Sequence, residues 1–227
     1  MLSVIIPVLN AAETIGETVQ RWQASDVVDE VVVVDGGSAD ATQAAAELAG
    51  ARVFPAPRGR GRQLAAGAEA ANGDWLLFMH ADTRLGPGWE TVVRRFISKP
   101  ENLYRAGYFR FALDDAAPAA RRLEAVVAWR CRLLGLPYGD QGLLIGASYY
   151  ERLGGYPPVP LMEDVALVRR ISNHRLQGLP ADAVTSAARY RRDGYFLRSA
   201  RNLLCLGLYF LGMPPAALVS FYEGGKR

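Results

Sequence analysis

Cysteine is scarce in this chain: 227 residues hold only Cys131 and Cys205, with no C-x-x-C pair. They read as buried thiols in a reducing compartment. The apolar stretch Leu203 to Met213 is too short to span a bilayer, which takes about 20 residues. Positive charge is in small excess, +3 overall with a pI near 9.0. That suits an anionic ligand or an anionic membrane face and is too little to argue for nucleic acid. The chain opens on Leu2-Ser-Val-Ile-Ile-Pro-Val8, with neither a basic n-region nor a small-residue cleavage site. No signal peptide is therefore expected. Repeats, low-complexity tracts and a convincing linker are also absent.

What is present is an alternation. Val4 to Val8, Val31 to Val34 and Trp75 to Met79 are short apolar runs, separated by helical stretches at about Ala12 to Ala24, Ala39 to Leu48 and Gln63 to Ala71. Runs apolar throughout fit parallel strands covered on both faces, and the repetition means an α/β sheet. Ligands then sit outside the carboxyl ends of the strands, which places Asn10, Asp35 and His80-Ala81-Asp82 at a site. After Asp82 the rhythm changes: Tyr104 to Leu113 and Leu143 to Ala147 read as strands, Pro118 to Leu134 and Glu163 to Ser172 as helices. From Tyr195 to Tyr222 two apolar helical segments are split by Pro214-Pro215. A single domain is expected over 1–227, with a ligand-binding half at 1–100, a second-substrate half at 101–194 and apolar helices at 195–227.

Asp35 precedes Gly36-Gly37-Ser38; its carboxylate either accepts hydrogen bonds from a base or ribose or closes a turn. Asp82 either holds Mg²⁺ or Mn²⁺ against a diphosphate or caps a loop, and His80 projects to the same side if the strand continues. Arg58-Gly-Arg-Gly-Arg62 opens a helix, so Arg60 and Arg62 make either an anion site or a solvated basic loop. Glu163-Asp164 at a helix start either supplies a general base or complements the helix dipole. Asp140 and Gln141, in a polar insertion between apolar stretches, line an acceptor pocket or form a turn. Arg191 and Arg192 either reach a diphosphate or are solvated.

The order of these segments carries more than any one of them. Val4-Ile-Ile-Pro-Val-Leu-Asn10 with Glu13, then Val31-Val-Val-Val-Asp35, then Gly73-Asp-Trp-Leu-Leu-Phe-Met-His-Ala-Asp82, then Glu163-Asp164 resembles the family 2 glycosyltransferases of GT-A fold. The Arg58 to Gly67 stretch and the His-Ala-Asp variant look most like a bacterial subgroup labelled arsenosugar-biosynthesis or radical-SAM/selenodomain-associated glycosyltransferases. The resemblance implies a Rossmann-like mixed sheet flanked by helices and inverting transfer of a sugar from a nucleotide-diphosphate donor, often UDP-linked, to a hydroxyl acceptor. It implies that Pro7, Asn10 and Glu13 border the nucleoside, that Asp35 contacts base or ribose, and that Asp82 is the metal carboxylate of D-x-D. Asp164 is then the base, with Glu163 supporting. His80 replaces the usual first Asp, and imidazole tolerates Mn²⁺ better than Mg²⁺.

Three rivals remain. A dinucleotide oxidoreductase needs G-x-G-x-x-G after the first strand, where Asn10-Ala-Ala-Glu13 stands. A sugar nucleotidylyltransferase is expected to carry its Gly-rich, Arg-bearing loop there, not at Arg58. A non-catalytic nucleotide-sugar-binding protein would not need the retained Glu163-Asp164. The protein is expected in the cytoplasm. Its C-terminal apolar helices either pack on their own domain, form a homodimer contact, or lie at the inner membrane face with Arg198, Arg201 and the basic helix Arg121 to Arg132 against anionic headgroups.

Overall fold

The apolar runs become strands whose alternate residues face two different helical layers. In β1 (Leu2–Val8), Val4, Ile6 and Val8 point to one core and Ile5 to the other; in β2 (Glu30–Asp35), Val31 and Val33 oppose Val32 and Val34 in the same way. A run apolar at every position is what a sheet buried on both faces requires. The computed structural model describes residues 1–223; the last four residues of the expected C-terminal segment lie outside them.

One face of the sheet is covered by α1 (Ala12–Gln23), α2 (Thr42–Leu48) and α4 (Trp89–Ile97), through Ile15, Val19, Trp22, Ala46, Val93 and Phe96. Trp22 and Trp89 meet edge to face at 5.1 Å, closing that layer. The other face carries α3 (Arg60–Ala70), α6 (Ala147–Arg152) and α7 (Glu163–Val168), through Leu64, Tyr149, Tyr150 and Leu167. Each fully buried aliphatic side chain contributes about 1.5–3 kcal/mol, so these two layers hold most of the stabilising burial.

The remaining strands are β3 (Arg52–Pro55), β4 (Trp75–Phe78), β5 (Thr83–Leu85), β6 (Ala106–Leu113), β7 (Leu143–Gly146) and β8 (Leu176–Thr185), and the sheet order is β3-β2-β1-β4-β7-β6-β8-β5. β1 to β4 run parallel, β7 joins β4 antiparallel, and β6 and β8 pair parallel. The sheet is mixed, as expected, and one set of hydrogen bonds runs through both halves of the chain.

Several elements depart from the sequence reading. β8 is ten residues long and was not expected, because Gly178 and Pro180 interrupt its pattern. The register jumps from Phe109↔Leu179 to Arg110↔Asp182, so a bulge absorbs the proline that cannot donate to the ladder. The helix expected from Glu163 to Ser172 stops at Val168. α5 (Pro118–Leu134) has the expected bounds and ends on Gly135 in the left-handed region, φ 59°. α8 (Ala188–Asp193), α9 (Tyr195–Phe210) and α10 (Pro215–Glu223) complete the described chain. Cys205, Leu206 and Leu218 of these helices pack on Leu136, Met162 and Val165, so the C-terminal segment docks by one face on its own domain.

α3 lies unusually close to the sheet at Gly67. A Cβ there would stand 2.4 Å from Ile5 Cγ2 and 2.9 Å from Val34 Cγ2. Alanine favours a helix over glycine by about 1 kcal/mol, whereas overpacking costs typically 1–3 kcal/mol. Gly67→Ala should therefore lower the melting temperature by several degrees, and a melt at or above the parent's would show that the layers have room to separate.

Candidate functional site

β1 and β2 end side by side, and the loops after them are tied together. Asp35 closes β2; its carboxylate accepts the Gly37 N–H at 3.2 Å, the Ser38 N–H at 3.0 Å, the Gln43 amide at 2.7 Å and the Ser38 hydroxyl. Burial alone would raise its pKa, and these donors more than offset that, leaving it below the usual value. Asp35 is buried, its carboxylate is engaged by its own turn, and it is not among the residues lining the cleft. Its effect is indirect. The Ser38 hydroxyl accepts the Asn10 N–H at 2.8 Å, and Asn10 Oδ1 accepts the Ala39 N–H at 2.9 Å, holding Asn10 at φ 50°. Asn10 and Pro7 border the cleft; Glu13, exposed on α1, does not.

The basic loop splits. Gly61 lets the first turn of α3 press on the proline-rich turn, since a Cβ there would meet Pro157 O at 2.3 Å. That contact brings Arg60 Nη1 to 3.5 Å from Glu163 Oε1. Arg58 and Arg60 line the cleft, while Arg62, two positions on and so about 200° round the helix, is exposed and outside it.

β4 ends at Phe78, and residues 80–83 form a turn in which the Thr83 N–H reaches His80 O at 3.2 Å. The expectation that His80 and Asp82 share a strand face is thus replaced by a turn that brings both to the cleft. Burial, then the charges of Arg60 and Arg189, hold the His80 pKa well below its usual value, so the ring is neutral. Its Nε2 is buried without a hydrogen-bond partner.

Three segments converge at Gly139. A Cβ there would lie 2.8 Å from His80 Nε2 and 3.6 Å from Asp164 Oδ2. The Gly139 N–H donates to Asp164 Oδ2 at 2.8 Å. Met162, in the left-handed region at φ 64°, turns the chain into α7 so that Glu163, itself buried, and Asp164 both line the inner cavity. Such strain in a non-glycine residue costs of order 1 kcal/mol or more and persists only where the surroundings impose it. Burial and then the Asp164 charge push Glu163 up to about 7, with Arg60 opposing. Asp140 is pushed up to about 6 by burial and by the charges of Asp164 and Asp82, against Arg130 and Arg60, and its Oδ1 is buried and unpartnered. Gln141, expected beside Asp140 in the pocket, is corrected to a structural role. Its side chain is buried, accepts from the Cys131 thiol at 3.1 Å and from Arg130 at 3.2 Å, and donates to Phe109 O at 3.0 Å.

The space enclosed is an inner cavity of about 120 Å³, lined by His80, Asp82, Tyr138, Asp140 and Asp164, opening into a cleft of about 780 Å³ bordered by Pro7, Asn10, Arg58 and Arg60. α8 and α9 add Arg189, Arg192 and Arg198. Arg198, read from sequence as a headgroup contact, is instead buried and lies 3.3 Å from Asp193. Arg191 turns away to Asp114 and Asp115, at 3.6 and 3.9 Å. Sequence reasoning missed Tyr138, Arg189 and Asn202; the stacking of Arg130 on Tyr138 at 3.5 Å has no local signature in the sequence.

A divalent cation suits this donor set. A neutral imidazole with a free Nε2, and a buried Asp140 whose pKa the charges of Asp164 and Asp82 help to raise, are groups that a cation would accommodate. Among the described residues no three His, Cys, Asp or Glu side chains already form a cage, as expected where a cation keeps waters and takes oxygens from a phosphate ligand.

The sequence profile described as Glycosyl transferase family 2 matches residues 3–130. Glucosyl-3-phosphoglycerate synthase of Mycolicibacterium smegmatis is 35% identical over 92 residues, covering 36% of this chain and 30% of its own. The enzyme of the same name from Mycolicibacterium paratuberculosis is 34% identical over 92 residues, covering 36% and 28%. The matched stretch thus spans less than a third of these curated relatives. Glucosyl-3-phosphoglycerate synthase from Mycobacterium tuberculosis, solved with Mn²⁺, UDP-glucose and phosphoglyceric acid, superposes with a TM-score of 0.57 at 21% identity, over 82% of this chain and 70% of that one. Its complex with Mg²⁺ and UDP gives 0.55 at 22% identity, over 82% and 70%. At these identities the superpositions show a shared GT-A fold.

The buried acids make stability depend on pH. The Asp140 pKa is raised in the folded state, so its contribution is fully present below its unfolded value near 3.8 and is lost as pH rises through about 6. Asp140→Asn does not ionise. Urea unfolding in EDTA should show the variant gaining on the parent between pH 4 and 7, by on the order of 2–3 kcal/mol; a pH-independent difference would place Asp140 in water.

Proposed function

Because the chain belongs to glycosyl transferase family 2, we propose that it transfers a sugar from a UDP-linked donor to a hydroxyl acceptor with inversion at the anomeric carbon, assisted by Mn²⁺ or Mg²⁺. The observation that carries this reading is the convergence of His80 and Asp164 on Gly139, with Asp82 lining both the same inner cavity and the wide basic cleft. The complexes of similarly folded glucosyl-3-phosphoglycerate synthases with Mn²⁺, UDP-glucose and phosphoglyceric acid support it. The proposal covers residues 1–227 as one glycosyltransferase domain and a cytoplasmic location, which the free, buried Cys131 and Cys205 suit.

In this reading the nucleoside lies along Pro7 and Asn10, and the diphosphate faces Arg58, Arg60, Arg189 and Arg192. Asp82 and His80 Nε2 would hold the metal ion. When bound, it supplies positive charge that stabilises the departing nucleoside diphosphate. Asp164, with one lone pair on the Gly139 N–H, keeps another for the acceptor. Its carboxylate takes the acceptor O–H proton while that oxygen bonds to the anomeric carbon; the bond from that carbon to the phosphate oxygen breaks, and its electron pair leaves with UDP. Glu163, inward and paired to Arg60, positions rather than reacts.

Two variants test the reading. Asp82→Ala should bind UDP weakly and with no response to Mn²⁺ in calorimetry; metal-dependent affinity like the parent's would reassign the ligand. Asp164→Asn should keep donor affinity and lose about 10² to 10⁴ in transfer rate. Near-parental transfer by Asp164→Asn, with Glu163→Gln inactive, would exchange the two roles.

A further inference from the structure

The outer surfaces of α5 and α9 are apolar beyond what a solvated helix needs. On α5, Val126, Trp129 and Leu133 follow one another at helical spacing, and Trp129 is 60% exposed. α9 packs beside α5 and exposes Phe196 at 83% and Leu203 at 68%, with Leu211 exposed just past its end. The opposite stripe of α9, with Arg198, Cys205 and Leu206, faces the interior. The helix therefore satisfies its own domain with one face and leaves the other uncovered by any described residue. A large apolar patch on a folded surface marks an interaction site.

Charge selects the occupant. Arg121, Arg130 and Arg191 are engaged within the domain and Arg189, Arg192 and Arg198 line the cleft, which leaves Arg122 and Arg132 on α5 and the half-buried Arg201 on α9 to make the outer side of these helices basic. Arg122 and Arg132 are exposed on α5 and make no ion pair among the described residues. A second copy presenting the same face would set like charges against each other. An anionic bilayer takes both features: apolar side chains enter the headgroup–acyl boundary and guanidinium groups meet lipid phosphates.

We propose that the α5–α9 face seats this protein on an anionic membrane surface. It lies in the interface, since no described helix is long and apolar enough to cross. The inner side of α9 supplies Arg198 and Asn202 to the cavity, so seating sets the cavity about one helix width from the headgroups.

Trp129 is a built-in reporter, because Trp22, Trp75 and Trp89 are all buried. The full chain is mixed with vesicles of pure phosphatidylcholine or of phosphatidylcholine with one-third phosphatidylglycerol. With the anionic vesicles, Trp129 emission should shift to the blue and the protein should sediment with lipid, less so in high salt. Arg122→Gln and Arg132→Gln should each weaken partition by roughly five-fold. Leu203→Ser with Phe196→Ser should weaken it at least as much, with an unchanged thermal melt confirming folding. Absence of sedimentation and blue shift at low salt overturns the proposal, as does equal binding to neutral vesicles. A blue shift that grows with protein concentration without lipid also overturns it, in favour of a second copy on this face.

Discussion

Mutual repulsion among carboxylates held out of water is the constraint on which the site is built. Burial and the neighbouring Asp164 charge push Glu163 up to about 7, and burial with the charges of Asp164 and Asp82 pushes Asp140 up to about 6. Separated in solvent, these groups would have no such interaction. Each neighbouring feature offsets part of the cost. Arg60 stands against Glu163, the Gly139 N–H against Asp164, and Arg130 and Arg60 lower Asp140. What they leave uncompensated is the demand for a cation, and a site of this kind is where perturbed acids are put to chemical use.

Close approach makes that concentration of charge possible. Gly61 lets α3 rest on the proline-rich turn and carry Arg60 to Glu163, and Gly139 lets His80 and Asp164 meet across the inner cavity. Side chains at either position would push apart elements that are far separated in sequence. The left-handed Met162 and Asn10 show the same compression in the backbone, one at each side of the cleft.

The site also gives the C-terminal helices a reason to dock. Leu218, Cys205 and Leu206 cover Met162 and Val165, the residues flanking Glu163-Asp164, so α9 and α10 support the turn that aims the acids. The same helices bring Arg198 and Asn202 to the cavity. The wall of the site and the outer apolar face are therefore two sides of one element.

The sequence by itself determined the α/β class, the two-faced strands and the strand-end positions at which chemistry collects, because those follow from local periodicity. It also determined, through an ordered set of motifs, the family to which the chain belongs. Which residues at those positions face a ligand was a tertiary decision. Asp35 and Asp82 both follow buried strands, but Gly37, Ser38 and Gln43 fold back onto Asp35 and consume it, while Asp82 stays exposed at the cleft. Asp140 and Gln141 are adjacent, yet one turns to the cavity and the other into a bed of Arg130, Cys131 and Phe109. β8 escaped notice because Pro180 looks like a breaker until a bulge against β6 accommodates it. Arg198 looked like a surface charge until the packing of α9 turned it inward. In each case the local chain fixes what a side chain can do, and contacts from distant segments decide whether it remains free to do it.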